Sequence, residues 1–283
     1  MFKESTDRLL AAAAISLALL TGCGSSPERK AAEALLADAR SAIETGDPER
    51  GILLIDSISD AYPGETEVRR QALAARPKAV EAITIKEIEQ TDSLIAALQL
   101  SYNDFEKTMK KITGKDLVEP YFVPVKGYKS DFVSSTGVQA RVDLVGQFYI
   151  LSSVNGMKLR HIAVEFSNGD SSVISQTVSP DGETNFRMDN SELITYDPGK
   201  CDSIGQFFVE NVSRNIKGYF IGEGGKKTPF SLTADQIEGI ADAYRYSRSI
   251  TDARTAAVKR EKLDRQLQVA RDQMARTSGA IEK

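Results

Sequence analysis

The chemistry open to this chain is bounded by its scarcest reactive side chains: 283 residues contain one histidine, His161, and two cysteines, Cys23 and Cys201. A zinc site of the Cys/His type uses about four such ligands, and a serine–histidine–acid set here would have no choice of histidine. Neither Gly-x-Ser-x-Gly nor Ser-x-x-Lys occurs, which removes two serine-nucleophile signatures. The acids Asp181, Glu183, Asp189 and Glu192 gather in PDGETNFRMDNSE. Paired carboxylates run glycoside hydrolysis when a fold holds them close, and oxygen-rich loops bind calcium. The spacing matches neither, so these acids are expected in a solvated loop and His161 on the polar side of a strand. Gly222-Glu223-Gly224-Gly225-Lys226-Lys227-Thr228 lacks the spacing and the following helix of a phosphate loop and reads as a hairpin turn. No catalytic residue, cofactor or metal site is therefore expected.

One residue does carry chemistry by position. Leu9–Leu20 is an apolar run that stops at Thr21-Gly22-Cys23. It is too short to span a membrane, which takes about 20 apolar residues, but it suits the core of a signal peptide. Small residues immediately before a thiol resemble a bacterial lipobox, in which the cysteine sulfur is alkylated by a diacylglyceryl group and a peptidase cuts before it. Two or three acyl chains anchor a protein stably where one does not. An ordinary secretory signal with a chance cysteine is the alternative. The leading segment MFKESTDR mixes Lys3 and Arg8 with Glu4 and Asp7 and so departs from a plainly basic start. Residues 1–22 are thus expected to be removed and Cys23 to hold the mature chain on a membrane. A lipidated Cys23 cannot pair with Cys201, which reads as a small buried hydrophobe.

The elements that follow the anchor can be taken in order. Ser26-Pro27-Glu28 and Asp47-Pro48-Glu49 each read as an N-cap, a first-turn proline and a first-turn acid, with Gly46 stopping the first of two short helices. Ala39, Gly46, Ile55, Ile58 and Pro63 resemble a single tetratricopeptide unit. One unit cannot bury its own faces, so residues 23–79 read as a lipid-anchored helical hairpin packed on its neighbours. Pro77 should kink or break the helical stretch around it. Residues 80–115 read as an outgoing coiled-coil helix, with Ile88, Ile95, Tyr102 and Met109 at intervals of seven, and Leu98, Phe105 and Ile112 as the second set. Lys107, Lys110, Lys111 and Lys115 then complement the dipole at its end.

Residues 116–232 read as a β module with one short helix. Val138, Ala140, Val142 and Leu144 alternate with polar residues. Strands are also expected over Phe148–Val154, Ile162–Phe166, Leu193–Tyr196, Ile216–Ile221 and Thr228–Leu232, with a helix over Asp202–Ser213. Residues 233–283 form a returning coiled-coil helix and tail, opened by the capping box Thr233–Gln236. The fold class is α+β: a helical hairpin and a long antiparallel helix pair bracket a mainly antiparallel β module of six or seven strands.

The order of parts, with the segments AYPGETEVRRQAL, IKEIEQTDSLIAAL and EKLDRQLQVARDQMART, resembles an uncharacterised lipoprotein family of Bacteroidota over the whole chain. The resemblance implies a lipid-anchored envelope protein and no chemistry. Asp56-Ser57, Asp92-Ser93 and Asp202-Ser203 resemble the O-glycosylation acceptors of that group, which makes Ser57, Ser93 and Ser203 candidate modification sites; capping or a surface turn explains Asp-Ser equally well. A net charge of −4 argues against general nucleic-acid binding. The expected function is a non-catalytic envelope lipoprotein, held through Cys23 in the outer membrane, that presents its β module to a protein or glycan partner. An envelope hydrolase using carboxylates of the β module and a self-associating structural protein are the alternatives.

Overall fold

The computed structural model describes residues 26–281 except 116, 157, 158, 181 and 189, without the side chains of residues 278–281. Cys23 and the signal segment lie outside the described residues. The fold is α+β: five α-helices and antiparallel sheets of six and four strands. By contact it divides into two compact units, residues 1–83 with 270–283 and residues 84–269.

In the first unit, α1 (Pro27–Glu44) and α2 (Pro48–Ala61) form a hairpin. Local signals set its ends. Ser26 Oγ accepts from the Arg29 amide and Asp47 Oδ1 from the Arg50 amide, each with proline in the first turn, and Gly46 turns the chain at φ +90°. Ala39, Ile55 and Ile58 are fully buried. Gly51 is a packing requirement, since a Cβ there would meet Ile43 Cγ1 at 2.5 Å. Because Asp47 satisfies an otherwise orphaned amide, Asp47→Ala is expected to cost about 1 kcal/mol, readable as a shift in the urea midpoint.

Helix α3 (Thr66–Glu106) runs through Pro77, so the expected break does not occur. Pro77 cannot donate to the carbonyl of Leu73, four residues back, but Leu73 is 52% exposed and water can take the vacant place. Buried Ala72 and Ala79 hold the turns on either side. The long helices α3 and α5 (Ala234–Ile281) are joined by Arg271–Glu81 at 2.8 Å in this unit, and by Arg260–Asp92 at 2.7 Å in the second.

In the second unit, α3 buries Thr84 and Thr91 and half-buries Ile88, Ile95, Leu98, Tyr102 and Phe105, the face expected from the spacing. The helix ends at Glu106, short of the expected residue 115. Met109 and Ile112 belong to strand β1 (Met109–Ile112), paired with β2 (Tyr121–Pro124), because Met109 buries itself in the sheet core and not on a helix seam. Lys110 and Lys111 are therefore strand residues and do not serve a helix dipole. The six-stranded sheet has the order β1-β2-β3-β4-β8-β7, with β3 Gly137–Asp143, β4 Phe148–Asn155, β7 Asn185–Met188 and β8 Ser191–Thr195. The four-stranded sheet has the order β10-β9-β5-β6, with β5 Ala163–Ser167, β6 Ser172–Ile174, β9 Lys217–Ile221 and β10 Lys227–Ser231. Helix α4 (Asp202–Glu210) packs with both sheets and α5 around one core that includes Ile150, Val164, Phe166, Ile194, Phe208 and Phe220. The expected capping box closes α5: Gln236 N donates to Thr233 Oγ1, and Thr233 N to Gln236 Oε1. None of the described helices is long and apolar enough to cross a membrane.

Candidate functional site

The chain's one histidine lies inside the protein. His161 is 0% exposed, contrary to its expected place on a polar strand face. It precedes β5, and both faces of that strand are covered, since Ala163 and Val164 are buried. His161 Nε2 lies 2.6 Å from Ser152 Oγ on β4, and Nδ1 lies 2.7 Å from Glu192 Oε2 on β8. The His161 backbone amide donates to the same carboxylate oxygen at 2.8 Å, and Arg187 Nε on β7 donates to Oε1 at 2.5 Å. Ser152 Oγ also lies 3.1 Å from the Tyr196 hydroxyl. Strand register brings these groups together: β4 and β8 pair Ser152 with Ile194 and Val154 with Glu192. With side chains alternating at period two, Ser152, Glu192 and Tyr196 share the inner face.

The electrostatics fix the state of the acid. Burial pushes the Glu192 carboxyl up, but hydrogen bonds from the His161 ring, the His161 amide and Arg187 outweigh it and hold the group at about 2. Glu192 is therefore a carboxylate that accepts. His161 Nδ1 therefore donates to it, and Nε2 lies within hydrogen-bond distance of the Ser152 hydroxyl. Burial raises Tyr196, leaving a neutral phenol beside Ser152. Serine, histidine and acid stand in the order of an acyl-transfer relay. Ser152 and His161 are both 0% exposed, however, so no substrate reaches Ser152 Oγ in this conformation.

Of the acids expected in a solvated loop, Glu183 is exposed as anticipated, and Asp181 and Asp189 lie outside the described residues. Glu192 is the correction: it is 1% exposed, because three donors converge on it. Sequence alone could have flagged one thing only, that a lone histidine between two strand runs must face one side or the other. Cys201 is buried as expected, and burial pushes its thiol up to about 11, leaving it neutral and unreactive. Ser57, Ser93 and Ser203 are exposed on α2, α3 and α4; the first two donate to the carbonyls of Leu53 and Glu89. Gly222 to Thr228 forms the expected hairpin turn, closed by Gly222 N to Lys226 O. Among the described residues, no group of three or more His, Cys, Asp or Glu could hold a metal ion.

A second cluster lies on the other face of the six-stranded sheet. Lys110 pairs with Val123, and Arg141 with Tyr149; extending the β2–β3 register sets Val123 beside Arg141. These four residues thus form one row across β1–β4. The Arg141 guanidinium stacks 4.1 Å from the Tyr121 ring centroid beside cross-strand Tyr149, and Lys110 Nζ stands 5.7 Å over Tyr128. All three tyrosines are half-buried. Burial raises the Tyr149 hydroxyl, which stays neutral beside the cation.

Comparison of the chain with protein-family models, with curated proteins and with solved structures finds no match.

Proposed function

We propose that this protein is a non-catalytic lipoprotein of the bacterial cell envelope, held in a membrane through acylated Cys23, whose β-rich unit binds a partner presented to it there. The observation that carries the binding half is the direction in which polar side chains face. The one constellation with catalytic order, Ser152–His161–Glu192, is spent inside the core. On the outer face of β1–β4, by contrast, Lys110, Arg141 and three half-buried tyrosines remain within reach of a ligand. The hydrolase reading draws on the relay's geometry, and the complete burial of Ser152 weighs against it.

The anchoring half rests on the sequence of Leu9–Cys23. Acyl chains contribute about 0.8 kcal/mol for each buried CH₂, so loss of the thiol removes the whole attachment. Cys23→Ala is expected to move the protein from the membrane fraction to the soluble envelope fraction on cell fractionation. A variant that stays with the membrane refutes the anchor.

A further inference from the structure

We propose that the outer face of β1–β4 is a binding site for a carboxylated glycan, in which Arg141 and Lys110 pair with acid groups and Tyr121, Tyr128 and Tyr149 contact the sugar rings and hydroxyls. The proposal rests on the reading of the β-rich unit as a binding module and names its ligand class and residues.

The argument begins with Arg141. Surface arginines usually answer a carboxylate, and Arg29, Arg70, Arg76, Arg214, Arg248 and Arg265 do so here. Arg141 makes no ion pair among the described residues. It is flanked by Tyr121 and Tyr149, and its Nε is buried without an acceptor. The guanidinium is thus oriented, partly stripped of water and still in need of an anion. A planar fork held in this way matches a carboxylate in two parallel hydrogen bonds and loses little entropy on binding.

Register supplies the second contact. Lys110 and Arg141 stand in one row two strands apart, about 10 Å at the usual strand spacing. A saccharide lying across the strands with acids on alternate rings presents charges at a comparable interval. Lys110 is exposed and stands over Tyr128, and its ammonium pairs with no carboxylate among the described residues. The hydroxyls of Tyr121 and Tyr128 make no hydrogen bond among the described residues. Between them the row and its flanks offer two cations, three rings and free hydroxyls, with Val123 fully buried between Lys110 and Arg141 in the row. Lys110 and Lys111 also guard a sheet edge, where charge discourages pairing with another chain. Edge protection does not explain Arg141, which lies on an interior strand.

A flexible acidic peptide could use the same cations, but it would gain little from tyrosine rings set beside them. Sugar rings present both apolar C–H faces and hydroxyls, and therefore use all five residues.

The test is titration calorimetry on the detergent-solubilised full chain with three probes: an oligogalacturonate, a neutral malto-oligosaccharide of equal length, and polyglutamate. Oligogalacturonate is expected to bind and the other two are not. Arg141→Gln should weaken that binding by about tenfold or more, the equivalent of one charge-assisted contact. Arg141→Lys should fall between, because it keeps the charge and loses the fork. Lys226→Gln, on the β9–β10 turn, should leave binding unchanged. Thermal melting of each variant separates lost contacts from lost fold, and Lys110→Gln serves as a second probe of the row if Arg141→Gln melts early. Oligogalacturonate that does not bind, polyglutamate that binds as well, or Arg141 and Lys110 variants that bind like the parent would each overturn the proposal. Failure here alongside release of Cys23→Ala from the membrane would sink this site and leave the anchored-protein reading intact.

Discussion

Glu192→Ala is expected to destabilise the protein by about 3–5 kcal/mol, the cost of removing one partner from a buried charge pair. The substitution leaves the His161 ring N–H and the His161 amide without their acceptor in the interior and takes one of two carboxylates from half-buried Arg187. The loss of a few methylene contacts is the smaller effect. The chain contains no tryptophan, so urea unfolding followed by circular dichroism is the suitable measurement. A change below about 1 kcal/mol, the scale of an ordinary surface substitution, would show that the network is not closed as described. The same residue fixes a pH dependence. Its folded pKa, about 2, lies below the ordinary glutamate value of 4.5. The ionised form is thus favoured by folding, and the contribution is fully present above about pH 4.5 and is lost as pH falls toward 2. A depression of this size is worth about 3 kcal/mol at 1.36 kcal/mol per pH unit. Glu192→Gln keeps the shape and cannot ionise. The stability difference between it and the parent should therefore shrink across that window. A difference that stays constant between pH 5 and pH 2.5 would refute the assignment.

Gly239→Ala should lower the melting temperature by several degrees, although alanine is the better helix former. Intrinsic propensity favours the change by about 1 kcal/mol. Opposing it, the new Cβ would sit 2.3 Å from the Lys126 carbonyl oxygen and 3.2 Å from Pro124 Cβ. That carbonyl cannot easily retreat. Gly127 follows it at φ +70°, with no room for a Cβ of its own against Gln236 Cα at 2.6 Å, and Lys126 is tied to Glu238. Overpacking against fixed backbone costs about 1–3 kcal/mol, so the clash outweighs propensity. Gly64→Ala, where nothing lies within 4 Å, is the control and should melt like the parent. A rise in melting temperature for Gly239→Ala would place α5 farther from the 124–127 segment than described.

The helical part of the fold was legible because its signals are local. Ser26, Asp47 and the Thr233–Gln236 box are read within a few residues of the amides they satisfy, and the structure has all three. The apolar spacing from Ile88 to Phe105 marked the correct face of α3, and Ala256, Leu263 and Ala270 are buried at intervals of seven on α5. Spacing did not locate the end of α3, since Met109 and Ile112 continue the period by coincidence while belonging to a strand. Strands β1, β2 and β7 escaped notice because each has four residues and too few alternations to show a period. The relay was hidden for another reason. A buried serine, histidine or glutamate looks like a solvated one until its partners are known, and those partners lie 9 to 44 positions away. Arg141 was similarly unmarked, because its neighbours Tyr121 and Tyr149 come from other strands.

The hydrogen bonds around Glu192 also bear on how the chain avoids folding into the wrong arrangement. Slipping β8 by one residue against β4 would turn Leu193 inward and carry Glu192 out to solvent, a change that apolar contacts alone resist weakly because one hydrophobe replaces another. With the His161 ring and amide waiting inside, the slipped pairing strands two donors in the core and takes a partner from half-buried Arg187. The carboxylate therefore penalises a misaligned pairing of β8 with β4, which the apolar pattern alone would tolerate.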